Sequence, residues 1–448
     1  MKLDVAAVRA GYPALADGYA YLDGAAGTQV PLAVITAISA AQVAGLGNSG
    51  GAFPASRRAD QITADCRAAV AALTGGEPDG VVVGPSMTAL TYRFAGALAR
   101  DWRAGDEVVV SRLDHDANVR PWVQAAERAG ATVRWAEVDP ETGELPMDQY
   151  SRLITERTRV VAVTAASNVL GTRPDVAGIT ALARAAGALS YVDGVHATPH
   201  VPTDVRALGA DLYATSAYKW SGPHVAAVVG TPSVLDRLRP DKLLPSPDDV
   251  PERFELGTLP FASLAGVTAA VEHLASLAAD PAVGGLRDRV LASMAAVQQH
   301  EQELFAVLLA GLESMPHVRL YGRAVSRTAT AYFTVGDMTP LQVASHLATR
   351  KINVWNGDNY AWEVTGALGI RDSGSAVRAG LVHYNDAAEV DRLLAAVAEL
   401  GGHRAGLPRV GGGRTPAVQG RLRQQWPLRG SSPEHQLRGA SEGGAPGH

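Results

Sequence analysis

Cysteine is nearly absent from this sequence of 448 residues, because Cys66 is the only one. A single thiol excludes internal disulfides and any zinc or iron–sulfur site built from several thiolates. The sequence also lacks an apolar run long enough to span a bilayer, and its first residues do not have the shape of a signal peptide. We therefore expect a cytoplasmic protein without a metal site and without a membrane partner.

Aromatic residues are also scarce, and the net charge is small. Aromatics make up 6% of the residues, and the formal net charge of −5 offers no basic surface for nucleic acid. Apolar residues at 47% and charged residues at 19% are typical of a soluble globular protein. Residues 401–448 differ, because they hold seven Arg and two Glu among many Gly, Pro and Ser. Such a segment cannot bury enough apolar surface to fold, so we predict a disordered tail over 401–448.

Lysine is scarce too, and arginine supplies nearly all the positive charge. The only lysines are Lys2, Lys219, Lys242 and Lys351. Lys219 lies between two aromatic residues in ATSAYKWSGPH, residues 214–224. Arginine stays protonated, whereas a lysine amine can lose its proton and form a Schiff base. Taken alone, however, Lys219 is more simply a surface lysine whose stem packs on two rings, so the rest of the sequence has to decide.

Short apolar runs alternate with alanine-rich helical patterns through the first 270 residues. The runs predict strands over 80–84, 106–111, 131–138, 159–167, 188–194 and 211–216. This alternation predicts an α/β fold in which a mainly parallel sheet lies between two layers of helices. From about residue 271 the pattern changes to long helices, such as 286–313 and 386–401, with few strands. We therefore predict a large domain over 1–270 and a smaller α+β domain over 271–400.

A glycine-rich stretch, GLGNSG at residues 45–50, satisfies the dinucleotide-binding pattern G-x-G-x-x-G. It follows a helical pattern rather than a strand, and no helix start comes after it. The pattern therefore lacks the context that it requires, which disfavours a nicotinamide or flavin dehydrogenase.

Three features spaced along the chain suit pyridoxal phosphate. Asp193 ends a predicted strand, where it is well placed to face a ligand although it could also cap the next helix, and Lys219 follows the next strand. The amine would hold the cofactor's aldehyde, while the carboxylate would keep the pyridine nitrogen protonated so that the ring draws electrons from a substrate. In VVVGPSMTAL, residues 81–90, a strand leads into a helix start whose free amides, with Ser86 and Thr88, can hold a phosphate.

Seven stretches in order resemble the class V aminotransferases of fold type I, in the branch of the cysteine desulfurases. They are YLDGAAGTQVP (21–31), DHDANVRPW (114–122), SNVLGT (167–172), VDGVHA (192–197), SAYKWSGPH (216–224), ELGTLP (255–260) and VRAGLVHYN (377–385). The resemblance covers nearly all of residues 1–400. It implies a pyridoxal-phosphate-dependent transferase fold whose large domain has a mainly parallel seven-stranded sheet, with roughly the first 20 residues packed on the small domain. It also implies a homodimer with its active site at the subunit interface.

The resemblance implies roles for individual residues too. Lys219 would carry the cofactor as a Schiff base, Asp193 would pair with the ring nitrogen, and His115 would stack on the ring. The other implied cofactor-binding residues are Ser86, Met87, Thr88, Asn168, His196, Ser216, Tyr218 and, from the second subunit, Thr258. Arg378 would clamp the substrate carboxylate. The remaining substrate candidates are Ala26, Trp355, Asp358, Asn359 and Tyr360. Plain structural roles stay open for some of these, as a core histidine (His115), a turn residue (Asn168) or a helix cap (Thr258).

Departures from the desulfurase pattern point away from sulfur transfer. Desulfurases have histidine where Tyr218 stands and commonly glutamine where His196 stands. In VWNGDNYAW, residues 354–362, Tyr360 occupies the place of their nucleophilic cysteine and Trp355 that of an arginine.

Cys66 lies in a helical pattern and is interpreted as a small core residue. A persulfide mechanism needs a thiolate. We therefore expect an enzyme that acts at the α-carbon of an amino acid, as an aminotransferase or C–S lyase and not as a cysteine desulfurase. The alternatives are an amino-acid epimerase of the same family and a catalytically silent scaffold.

Overall fold

The computed structural model describes residues 3–278 and 284–401. The predicted tail over 401–448 lies outside these residues except for Gly401, which ends the last helix. The helices are α1 Val5–Ala10, α2 Leu32–Val43, α3 Pro54–Thr74, α4 Met87–Leu98, α5 Arg120–Ala129, α6 Tyr150–Leu153, α7 Val176–Ala185, α8 Pro232–Arg237, α9 Phe261–Ser276, α10 Leu286–Glu313, α11 Pro340–Ala348, α12 Trp362–Ala367 and α13 Ala387–Gly401. The strands are β1 Ala20–Tyr21, β2 Val81–Gly84, β3 Glu107–Ser111, β4 Thr132–Ala136, β5 Thr158–Thr164, β6 Leu189–Asp193, β7 Leu212–Ser216, β8 Ala226–Gly230, β9 Val318–Tyr321, β10 Thr330–Val335, β11 Ile352–Asn353, β12 Trp355–Gly357 and β13 Ala376–Gly380.

The central sheet has seven strands in the order β2–β8–β7–β6–β5–β3–β4. Neighbours from β7 to β4 are parallel, whereas β8 runs antiparallel to both β7 and β2. The mainly parallel seven-stranded sheet is therefore confirmed. The six predicted strands are present as β2 to β7, and β8 completes the sheet without having been predicted as a separate run.

The central strands are buried on both faces, which is why most of their residues are apolar. Successive side chains point to opposite faces, so the residues of β3 and β5 alternate between two apolar clusters. One cluster, with Val108 and Val160, packs against α4 and α5 through Phe94 and Trp122. The other packs against α3, α7 and α9. The predicted layering of helices on both faces of the sheet is confirmed.

A second, smaller sheet is antiparallel and has the order β12–β13–β10–β9. Helices α10, α11 and α13 pack their apolar residues against it and against each other. Helices α10 and α13 coincide with the helical patterns predicted over 286–313 and 386–401. The domain boundary near residue 270 stays a prediction.

The N-terminal segment contacts the part of the chain that contains the small sheet. Strand β1 pairs in parallel with β11, and the guanidinium of Arg9 lies 3.1 Å from the carboxylate of Glu389 on α13. The segment also reaches the loop that follows β7, where Thr28 donates its backbone N–H to the carbonyl oxygen of Tyr218. It therefore lies against the turn that carries Lys219.

The glycine-rich stretch 45–50 connects α2 to α3 and does not follow a strand. The context required for dinucleotide binding is therefore missing in the structure as well. Over residues 3–278 and 284–401, no helix is long and apolar enough to cross a membrane. In the same part of the chain, no cluster of three or more His, Cys, Asp or Glu is placed to hold a metal ion.

Candidate active site

Three parallel strands end at the same edge of the central sheet, and their last residues are Thr164 on β5, Asp193 on β6 and Ser216 on β7. Lys219 follows β7 at the end of a short 3-10 turn, Ala217–Lys219. In open α/β sheets the carboxyl edge of the strands is where ligands bind. The chain thus brings the predicted lysine and carboxylate to one place, although 26 residues separate them in sequence.

Lys219 and Asp193 are both buried. Burial and, to a smaller extent, repulsion from Arg378 together lower the pKa of the Lys219 ammonium to about 7, although Asp193 opposes the shift. Burial also raises the pKa of Asp193, against a hydrogen bond of 2.9 Å that its Oδ1 accepts from the amide of Val195. A lysine amine of lowered pKa can act as a base or nucleophile near neutral pH.

Two histidines lie in the same pocket as the lysine. His196 Nε2 lies 3.1 Å and 3.0 Å from the hydroxyls of Thr328 and Thr330, whereas its Nδ1 is buried and has no hydrogen-bond partner among the described residues. His115 accepts the amide hydrogen of Ala117 at Nδ1, and burial lowers its pKa to about 3. Burial also lowers the pKa of His196, so both rings are neutral, and His196 keeps a polar atom free for a ligand.

Helix α4 begins beside this pocket. Ser86 is its N-cap and accepts the amide hydrogen of Ala89 at a distance of 3.1 Å. Ser86, Met87 and Thr88 line the pocket together with Ser216 at the end of β7. The first amides of a helix have no intrahelical partner and favour an anion, so this corner suits a phosphate group.

Arg378 lies in the middle of the small sheet on β13 and is buried. Its Nη1 donates a hydrogen bond of 2.9 Å to the carbonyl oxygen of Asn168, and its Nε has no partner among the described residues. Burial lowers the pKa of this guanidinium to about 10, although the nearby Tyr332 and Asp23 oppose the shift. Arg378 therefore stays charged at neutral pH, with a free donor for a carboxylate.

The loop between β12 and α12 passes over the pocket in an unusual conformation. Asn359 and Tyr360 have φ values of 52° and 59°, which are rare for residues other than glycine. The side-chain amide of Asn168 donates to the carbonyl oxygen of Asn359 at 2.9 Å, and the amide of Asp116 donates to that of Tyr360 at 2.7 Å. The Tyr360 ring stacks on His115 with 5.4 Å between ring centroids. Strained backbone held by specific contacts is typical of functional sites.

Two adjoining cavities contain nearly all the residues that the sequence predicts for the site. The narrow one is lined by Ser86, Met87, Thr88, His115, Asn168, Asp193, His196, Ser216, Tyr218 and Lys219. The wide one, of about 890 Å³, shares several of these and adds Ala26, Trp355, Asp358, Asn359, Tyr360 and Arg378. Thr258 lines neither cavity and is exposed. It was expected from a second subunit, so its role stays a prediction.

The residues around the narrow cavity fit pyridoxal phosphate. They comprise one amine, one buried carboxylate and a helix start that suits a phosphate. Three buried polar atoms at these cavities lack partners among the described residues, namely Asn168 Oδ1, His196 Nδ1 and Arg378 Nε. Buried polar groups are normally hydrogen-bonded, so unpaired ones point to a bound polar ligand.

Sequence reasoning missed several residues that line the two cavities, among them Tyr92, Arg120 and Thr164. Tyr92 lines the wide cavity one helical turn after Thr88 on α4, and the i, i+4 spacing was the signal that could have found it. Arg120 also lines it, close after the DHDAN stretch. Thr164 lines the narrow cavity because it ends β5, as Asp193 ends β6.

The comparisons with known proteins match the part of the chain that forms the fold and the site. The family model described as aminotransferase class-V matches residues 20–393. The uncharacterized protein MT3887 of Mycobacterium tuberculosis (strain CDC 1551 / Oshkosh) is 39% identical over 402 residues, which cover 90% of this chain and 100% of that protein. The aminotransferase-like protein FGM3 of Gibberella zeae is 30% identical over 403 residues, covering 87% of this chain and 96% of that one. The crystal structure of the cysteine desulfurase CsdA (S-sulfonic acid) from Escherichia coli has a TM-score of 0.78 at 27% identity, covering 89% of this chain and 99% of that one.

Proposed function

The chain belongs to the class V aminotransferase family of pyridoxal-phosphate-dependent enzymes, and from that premise we propose that it acts at the α-carbon of an amino acid as an aminotransferase or a C–S lyase. We further propose that it is not a persulfide-forming cysteine desulfurase. The position of its only thiol is the observation that carries this second part.

Cys66 lies on α3 and is 1% exposed. It lines a small separate cavity with apolar neighbours such as Val70 and Trp220, and burial raises the pKa of its thiol to about 12. A sulfur-transferring nucleophile has to be an accessible thiolate. The loop over the pocket offers the phenol of Tyr360 instead, which supports a reaction that forms no persulfide beside Lys219.

When bound, pyridoxal phosphate draws electrons away from the α-carbon of an amino acid attached to its aldehyde. In our proposal Asp193 holds the proton on the ring nitrogen, and the start of α4 binds the phosphate. Arg378 binds the substrate carboxylate and thereby fixes which bond at the α-carbon lies beside Lys219. The Lys219 amine, with its lowered pKa, then takes and returns the α-proton.

We also propose a homodimer in which Thr258 of the second copy reaches the phosphate. Its exposure on the single chain leaves it free for such a contact. Light scattering, which gives the molecular mass of the protein in solution, tests whether the dimer forms. Thr258→Ala should weaken cofactor binding only if it does. A cytoplasmic location stays a prediction that cell fractionation tests.

The test mixes holoenzyme with amino acids and cysteine S-conjugates, one at a time. One equivalent of α-keto acid per active site, with further turnover only after a second keto acid is added, indicates an aminotransferase. Steady release of pyruvate and a thiol indicates a C–S lyase.

Two variants serve as controls. Lys219→Ala should abolish every reaction, whereas Cys66→Ser should leave each rate unchanged. A persulfide on Cys66 after incubation with cysteine, found by mass spectrometry and lost in Cys66→Ser, would overturn the proposal.

A further inference from the structure

The wide cavity is larger than the reacting end of an amino acid requires. Its volume of about 890 Å³ lies at the upper end of the range for small-molecule sites, about 300–1,000 Å³. It joins the narrow cavity at Thr88, His115, Asn168, Tyr218 and Lys219. A substrate whose α-carbon lies beside Lys219 would therefore extend its side chain into this space.

Three aromatic rings converge on the cavity from separate elements. They are Tyr92 on α4, Trp355 on β12 and Tyr360 in the loop that follows β12. In the single chain these residues are 42%, 50% and 72% exposed although they line a cavity, so the fold of one copy leaves part of each ring uncovered. Aromatic rings bury large areas and prefer other rings in stacked or edge-to-face contact.

The position of Tyr360 is specified by the site itself. Its left-handed backbone costs on the order of 1–3 kcal/mol and persists only where surrounding contacts impose it. Those contacts are the amide of Asp116 on its carbonyl oxygen, Asn168 on the preceding carbonyl, and stacking on His115. The ring is thus held over the cavity by residues that also line it.

The charges at the cavity disfavour a second carboxylate on the substrate. Beyond Lys219 and Arg378, the cationic residue that lines it in the described part of the chain is Arg120. Arg120 is already ion-paired, because its Nε lies 2.7 Å from Asp116 Oδ1 and its Nη2 is paired with Glu363. Asp358 also lines the cavity and would repel an acidic side chain.

We propose that the substrate is an α-amino acid whose side chain ends in an aromatic ring, which packs among Tyr92, Trp355 and Tyr360. This inference rests on the proposed function, because it assumes that the α-carbon lies beside Lys219. Trp355 and Tyr360 determine specificity, and neither takes part in the chemistry at the α-carbon.

The experiment compares phenylalanine, alanine and glutamate with the holoenzyme. Substrate specificity is measured as kcat/KM, and binding is measured from the change in cofactor absorbance on titration with the α-methyl analogues, which have no α-proton. We expect phenylalanine to exceed both other amino acids at least tenfold in kcat/KM, and α-methylphenylalanine to bind most tightly.

Variants identify the rings that cause the preference. Trp355→Ala and Tyr360→Ala should each reduce the preference for phenylalanine over alanine about two- to tenfold, mainly through KM, since a ring pair contributes about that much. Tyr360→Phe should retain it, because stacking does not need the hydroxyl. The matched control is Trp362→Ala. The Trp362 ring is 47% exposed, but it packs under Arg371 and does not line the cavity.

Two outcomes would overturn the inference while leaving the proposed function intact. One is alanine or glutamate reacting as well as phenylalanine, and the other is an unchanged preference in both alanine variants. If no amino acid changed the cofactor absorbance at all, the proposed function itself would fail.

Discussion

A buried tyrosine near the lysine turn provides a quantitative test of how the fold is held together. The hydroxyl of Tyr12 lies 2.7 Å from Ser221 Oγ, 2.9 Å from His273 Nε2 and 2.6 Å from His383 Nε2. A phenol donates one hydrogen bond and accepts two, so this oxygen is fully used. Ser221 follows Lys219 by two residues and has a φ of 70°, so the network fixes a strained point beside the site.

The perturbation is Tyr12→Phe, which keeps the ring and removes only the hydroxyl. His273 is less deeply buried and can turn to water, whereas His383 is fully buried. Without the phenol, His383 Nε2 keeps only the long contact of 3.4 Å with Ser221, and its Nδ1 has no partner among the described residues. An unsatisfied buried polar group costs about 1–3 kcal/mol, which is the expected loss in the free energy of unfolding.

Urea unfolding followed by circular dichroism measures this loss, with linear extrapolation at an unchanged slope. The matched control is Tyr21→Phe, because the Tyr21 hydroxyl bonds Asp17 at 2.5 Å on the surface. The control should change the free energy of unfolding by less than about 0.5 kcal/mol. If Tyr12→Phe were equally neutral, the network would not stabilise the protein and the argument would be wrong.

Three further predictions concern the site and its surroundings. Gly194→Ala should lower the free energy of unfolding by about 1–3 kcal/mol or more, because a Cβ there would lie 1.9 Å from Tyr213 Cζ. The control is Gly96→Ala on the exposed side of α4, where a Cβ would meet no atom within 4 Å. In the same urea assay, this control should stabilise the protein by about 0.5–1 kcal/mol. Asp193→Asn should weaken cofactor binding about tenfold or more, measured by equilibrium dialysis, because the proposed charged hydrogen bond between the ring nitrogen and this buried carboxylate is lost. The free energy of unfolding should fall as the pH drops from about 6.5 towards 4. Burial lowers the pKa of His383 to about 3, so in this range the unfolded chain binds more protons than the folded one. Urea midpoints that stay constant over this range would contradict this prediction.

The sequence predicted the central sheet well because its signals are local. Continuous apolar runs mark buried parallel strands, and residues that end such strands meet at one edge, so Asp193 and Lys219 could be placed together. Strand β8 escaped prediction because its short run AAVVG, residues 226–230, directly follows the lysine turn, and only its antiparallel pairing with β2 and β7 makes it part of the sheet.

Other features depend on contacts between distant residues, which no local pattern encodes. Tyr12 meets Ser221 and His383 across 209 and 371 positions of the sequence. The left-handed residues Asn359 and Tyr360 are not glycines, and contacts with the rest of the site impose their conformation. The predicted role of Thr258 depends on a second subunit.

Exchange of the substrate α-proton with deuterium oxide, followed by proton nuclear magnetic resonance, tests the central claim most directly. The claim is that Lys219 moves this proton and that no cysteine takes part. The account predicts exchange by the holoenzyme, the same rate in Cys66→Ser, and none in Lys219→Ala. Exchange that survives in Lys219→Ala, or disappears in Cys66→Ser, would contradict it.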